Sequence, residues 1–113
     1  MANVYRKRIT AADGDHIISD MSNEYSIGQV FVAFYNGDTM VTPSAGSVTI
    51  RAGLFDGQYL AASSGGYILA ADAGVGDVAY QPAVFDGPVS HVKATLAGIV
   101  GADAVEIAVW RDE

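Results

Sequence analysis

A chain of 113 residues, half of them hydrophobic, is the size of one domain and long enough to bury a core without covalent staples. It has no cysteine, which removes disulfides, thiolate nucleophiles and zinc–thiolate sites together. A net charge of −7 argues against binding a phosphate backbone, and no apolar run approaches the ~20 residues of a membrane-spanning helix.

The first predicted element is a strand over Val4–Thr10, with Tyr5 and Ile9 on one face and Arg6 and Arg8 on the other. It overlaps a charge asymmetry. Residues 1–8 hold +3 through Arg6, Lys7 and Arg8, while residues 9–113 hold −10. These eight residues read as a basic N-terminal arm on an acidic body, suited to an acidic partner or to a neighbouring copy. Arg8 leads into Ile9-Thr10-Ala11-Ala12-Asp13 rather than into an apolar run, so no signal peptide is expected.

Further strands are expected at His16–Ser19, Gln29–Asn36, Ser47–Ala52, Gln58–Ala62, Tyr67–Ala71, Val78–Gln81, Ser90–Leu96 and Ala104–Arg111. Gln29–Asn36 is the most informative. Val30, Val32 and Phe34 line one face, and Phe31, Ala33 and Tyr35 line the other, so the strand expects cover on both sides, in the sandwich or under a neighbouring subunit. Turns are marked by Asp13-Gly14, Asn36-Gly37-Asp38, Asp56-Gly57, Gly76-Asp77 and Asp86-Gly87, where glycine supplies positive φ and Asp or Asn caps the turn. Helix is expected for at most one turn within Tyr67–Ala73, stopped by Gly74 and Gly76. The whole reads as all-β: residues 1–113 form a single β-sandwich, jelly-roll-like, of about eight short strands.

Sites of chemistry are scarce. Asp13 and Asp15 bring two carboxylates together where a calcium cage needs more oxygens, so they read as turn residues. His16 and His91 make neither a three-histidine zinc site nor an HExxH motif, and His91 falls on the polar phase of its strand beside Lys93, which suggests an exposed or interface position. There is no Gly-x-Ser-x-Gly elbow, and Gly74-Val75-Gly76 lacks the third glycine and following helix of a dinucleotide fingerprint. No catalytic residue, cofactor or metal is expected. Tyr25, Tyr35, Tyr59, Tyr67 and Tyr80 can form either a sugar-stacking face or the usual tyrosines of interfaces and core edges.

Thr42-Pro43-Ser44-Ala45-Gly46-Ser47-Val48-Thr49-Ile50 leads a Gly-containing turn into a strand. The end of the chain, Leu96 to Arg111, sets a Gly-rich turn before a terminal strand. Over about the last two-thirds of the chain this pattern resembles the small β-sandwich virion proteins of tailed bacteriophages, capsid cement or decoration proteins and neck or tail components. The resemblance implies a non-enzymatic structural protein, made in the host cytoplasm and located in the virion. It would be a homo-oligomer or lattice-bound subunit whose partners are the major capsid protein or neck and tail proteins, with no membrane and no direct nucleic-acid contact. The interface residues expected on this reading are Tyr5, Arg6, Lys7 and Arg8 in the arm and Trp110 and Arg111 in the last strand. The alternative is a glycan- or receptor-binding module.

Overall fold

The computed structural model describes residues 2–20, 26–55, 57–62, 65–72, 83–85 and 91–112, with side chains over 5–18, 29–53, 57–62, 65–72, 83–85 and 91–109. Ten strands are present among them: β1 (Ala2–Thr10), β2 (Gly14–Asp20), β3 (Ser26–Asn36), β4 (Thr39–Val41), β5 (Ala45–Phe55), β6 (Gln58–Ala61), β7 (Tyr67–Leu69), β8 (Ala83–Val84), β9 (His91–Val100) and β10 (Ala104–Asp112). The helical content among the described residues is one 3-10 turn, Ala70–Asp72, inside the stretch where one turn is expected.

The strands form two antiparallel sheets. The first has the order β1-β10-β3-β4, with β8 also on β3. The second has the order β2-β9-β5-β6, with β7 also on β5. β4 and β8 share the flank of β3 that faces away from β10, and β6 and β7 share the corresponding flank of β5. The chain therefore passes between sheets so that β1 pairs with β10, β2 with β9 and β3 with β8, like one long hairpin rolled up. That nesting is jelly-roll connectivity.

The alternation seen in the sequence sets the core. Val30, Val32 and Phe34 of β3 and Val105, Ile107 and Val109 of β10 meet Val48, Ile50 and Ala52 of β5 and Val92, Ala94 and Leu96 of β9, all buried. Ile18, Ile68, Ala70, Ala83 and Phe85 close the rest of the core.

Several sequence expectations shift. β4 and β8 are extra strands of three and two residues, too short to leave a periodic signal. β2, β3 and β5 extend beyond their expected bounds, and β9 starts at His91 but runs on to Val100. The expected strand Val78–Gln81 lies outside the described residues. Residues 2–8, read as an arm, are laid along β10 from Ala2↔Asp112 to Arg8↔Glu106 as the outermost strand of the first sheet.

One end of the sandwich is tied together by its turns. Gly37 and Asp38 join β3 to β4, and only Gly37 has positive φ (59°), as in a type II′ hairpin turn. The Asp103 carboxylate accepts the Gly37 N–H (3.1 and 3.2 Å), Asn36 Nδ2 donates to the Gly101 carbonyl (3.0 Å), and the Gly98 N–H donates to Asp13 Oδ1 (2.8 Å). Asp13 and Asp103 thus serve turns, whereas Asp15, also expected in a turn, lies within β2 opposite Thr95.

Candidate interaction surface

Residues directly opposite in an antiparallel ladder point to the same face, so the register assigns each outward side chain. On the first sheet Arg6, Ala108 and Phe31 form one outward row and Arg8, Glu106 and Ala33 the next. Ala104, Tyr35 and Met40 form a third. Val84 of β8 stands opposite Gln29 at the other end of β3. The centre of this face, on the two interior strands, is therefore Phe31, Ala33 and Ala108 beside one charged residue, Glu106. Phe31 is 39% exposed and Met40 37%, with Ala33, Tyr35, Val84 and Ala108 half-buried. The solvated face of an antiparallel sheet ordinarily carries polar residues.

Arg8 borders this apolar centre and is held in place. Its guanidinium carbon lies 4.1 Å from the Tyr35 ring centroid, Nη1 donates to the Gly37 carbonyl (3.0 Å), and Nη2 lies 3.5 Å from Glu106 Oε1. A planar guanidinium can stack on the ring while its donors reach in its plane, which lysine cannot reproduce.

The outward face of the second sheet is different. Asp15, Thr95, Thr49 and Tyr67 form one row, and Ile17, Lys93, Arg51 and Ala61 the next. Thr95 Oγ1 donates to Asp15 Oδ1 (2.7 Å), Lys93 Nζ lies 3.7 Å from Asp15 Oδ2, and the same ammonium is 4.7 Å from the Tyr59 ring centroid. The Thr95 hydrogen bond, with the attraction of Lys93 and Arg51, holds the Asp15 carboxyl below the usual carboxylate value against a smaller opposing desolvation.

The structure divides the six expected interface residues. Arg6 and Arg8 share the outward face of the first sheet. Tyr5 and Lys7 lie on the other phase of β1, opposite Val109 and Ile107, where β1 is outermost and the core phase opens to solvent. Tyr5 is 40% exposed there, and Lys7 Nζ donates to the Ile17 carbonyl of β2 (3.1 Å), linking the margins of the two sheets. Trp110 pairs in register with Val4 and Gln29, and Arg111 with Asn3 and Ile27 across a bulge; their side chains lie outside the described set. Phe31, Ala33, Ala108, Met40 and Val84 were not among the expected interface residues. The signal for the first two was the doubly apolar run of β3, whose second face is partly exposed among the described residues.

One other expectation is corrected, and one of two alternatives is narrowed. His91 is 8% exposed rather than on the surface, with Gly53 and Asp20 as its ladder partners. Nor do the tyrosines make one platform. Tyr35 belongs to the first sheet and Tyr59 and Tyr67 to the second, while Tyr25 and Tyr80 lie outside the described residues. Among the described residues no group of three or more His, Asp or Glu side chains is arranged to hold a metal ion, and no helix is long and apolar enough to cross a membrane. His16 Nε2 is 3.1 Å from the Ala12 carbonyl, a local contact beside the β1–β2 link.

No curated protein matches the sequence. Residues 3–113 match the family described as a domain of unknown function, DUF7265, and the chain belongs to that family.

Proposed function

We propose that this protein is a non-enzymatic structural part of a virion, a capsid cement or decoration protein that binds neighbouring capsid subunits through the outward face of its first sheet. The observation that carries this reading is the apolar centre of that face, Phe31, Ala33 and Ala108, on a sheet whose other side already buries a complete core. Covering those side chains with a second protein gains about 25 cal/mol per Å² of apolar surface removed from water. Arg8, fixed over Tyr35, and Arg6 give the rim a positive sign on an acidic protein, which suits an acidic docking partner and sets its orientation. Jelly rolls recur in capsid proteins, and the turns tied by Asp103 and Asp13 make a stiff block suited to bearing load.

The test is co-sedimentation. Full-length tagged protein, expressed in infected host cells, is expected to band with intact particles in a density gradient. Phe31→Asp, at a half-exposed site, is expected to fold normally and leave the particle fraction. Wild-type protein found only in the soluble fraction overturns the reading.

A second reading, a glycan- or receptor-binding module, draws on the polar sheet. Tyr67 is 63% exposed at the end of the Asp15–Thr95–Thr49 row, where an aromatic plane beside hydroxyls can stack on a sugar ring. Glycan-array binding lost in Tyr67→Ala but retained in Phe31→Asp would favour it over the cement role.

A further inference from the structure

We infer that two copies of this chain pair through their outermost strands, each β1 adding to its partner's β2 across a two-fold axis that runs along the strands. β1 and β2 end their sheets on the same side of the sandwich, and among the described residues each has a ladder partner on one flank only. The link 11–13 turns the chain from one edge to the other, so the two strands run in opposite directions. Packed sheets lie ~10 Å apart. A two-fold axis parallel to the strands therefore exchanges the two edges and sets β1 antiparallel to the partner's β2, twice per dimer. Such a contact is isologous and closes. The Ile17 carbonyl accepts a hydrogen bond from the Lys7 ammonium of its own chain, which places β1 and β2 along one margin.

Charge selects this arrangement over the other two-fold. β1 carries Arg6, Lys7 and Arg8 with no acidic residue before Asp13, whereas β2 carries Asp15 and Asp20 with no Lys or Arg. An axis perpendicular to the strands brings β1 against the partner's β1 and opposes three cations to three, and like charges directly opposite are destabilising. The same cations guard a long edge against indiscriminate pairing, since charged side chains are the usual protection of an exposed strand. The bulge of β2 between Ile17 and Ser19 limits regular pairing to Gly14–Ile17, so the contact is short and leans on electrostatics. The outward side of the first sheet stays open in the dimer, and the two contacts share only the cations of β1 at its margin.

The test is sedimentation equilibrium of the full chain in about 20 mM and about 0.5 M salt. A dimer at low salt that dissociates at least roughly tenfold more readily at high salt is expected, because the attraction is screened. The double variants Arg6→Glu/Lys7→Glu and Asp15→Lys/Asp20→Lys each carry like charges on both edges and are expected to be monomeric alone. Mixed one to one they restore both complementary contacts and are expected to dimerise. A mixture that stays monomeric, or a wild-type chain monomeric at low salt, overturns the inference. So does a heterodimer of Arg6→Glu/Lys7→Glu with wild type that is tighter than the wild-type homodimer, which marks β1-to-β1 pairing. Should a variant fail to fold, hydrogen exchange on the wild type decides: amides of β1 and β2 must gain protection as concentration rises, and unchanged protection overturns the proposal. Phe31→Asp, which disables the cement contact, must leave the dimer intact.

Discussion

The two sheets bury nearly equivalent inner faces, built on Val30, Val32, Phe34, Val105, Ile107 and Val109 in one and Val48, Ile50, Ala52, Val92, Ala94 and Leu96 in the other. Their outward faces differ. In the first sheet the outward phase of the interior strands carries Phe31, Ala33, Tyr35, Ala104 and Ala108, with Glu106 as its charged member. In the second it carries Thr49, Arg51, Lys93 and Thr95, of which Lys93 and Thr95 contact Asp15. The contrast holds on the interior strands, since the second sheet also exposes apolar side chains toward its flanks, at Ile17, Tyr67 and Leu69. Both sheets satisfy the same folding requirement, since a sandwich needs only one buried face per sheet. The apolar outward residues therefore have no role in closing the core, and the proposed docking role rests on this difference.

That contrast can be broken most sharply on β3 itself. Phe34→Ala removes a side chain 1% exposed and is expected to cost about 3–5 kcal/mol in denaturant unfolding. Phe31→Ala, on the opposite phase of the same strand, is expected to cost about 1 kcal/mol or less. Equal costs would mean that Phe31 is a fold residue and would remove the case for docking.

Next in size is Gly53→Ala in the second sheet. Gly53 pairs with the buried His91, and a Cβ there would run into the backbone carbonyl of Gln58. Because backbone cannot swing aside, a loss of about 1–3 kcal/mol in thermal unfolding is expected. A neutral result would show that β5 and β6 separate easily at their bulge.

Smaller still is Arg8→Ala at the rim of the apolar face. The ion pair with Glu106 is half-exposed and the stacking on Tyr35 modest, so about 0.5–1 kcal/mol is expected, most of it retained in high salt if stacking dominates.

The smallest effect is on the polar face and is read by pH. The folded Asp15 carboxyl titrates below its ordinary value, so its contribution to stability is present above the ordinary carboxylate range and is lost as pH falls through the lower folded value. Thr95→Val removes the largest cause, the 2.7 Å hydrogen bond. A carbon-detected titration is expected to show Asp15 moving up toward the usual value. An unmoved titration would assign the shift to Lys93 and Arg51 instead.

Much of this was legible in the residues. The glycine–aspartate punctuation and the alternation in β3, β5, β9 and β10 were enough for a cysteine-free sandwich and its core phases. The proposed docking face was legible only in part, through the two apolar phases of β3. Ala108 and Met40 gave no signal, because an alanine in a strand or a lone methionine in a turn-flanked triplet looks the same exposed or buried. Arg6, Lys7 and Arg8 read as one basic cluster, yet alternation sends Arg6 and Arg8 to one face and Lys7 to the other, and only pairing with β10 says which.

Sequence by itself determined the strand period, the turns and the sign of each segment's charge, because these rest on local backbone preference and on counting. Tertiary structure decided which phase of β3 meets the core, that β1 lies along β10 as an outermost strand, and that Arg8 stacks on Tyr35. Those facts depend on register between strands up to about a hundred residues apart, and register is settled by the joint burial of two sheets that no local window contains.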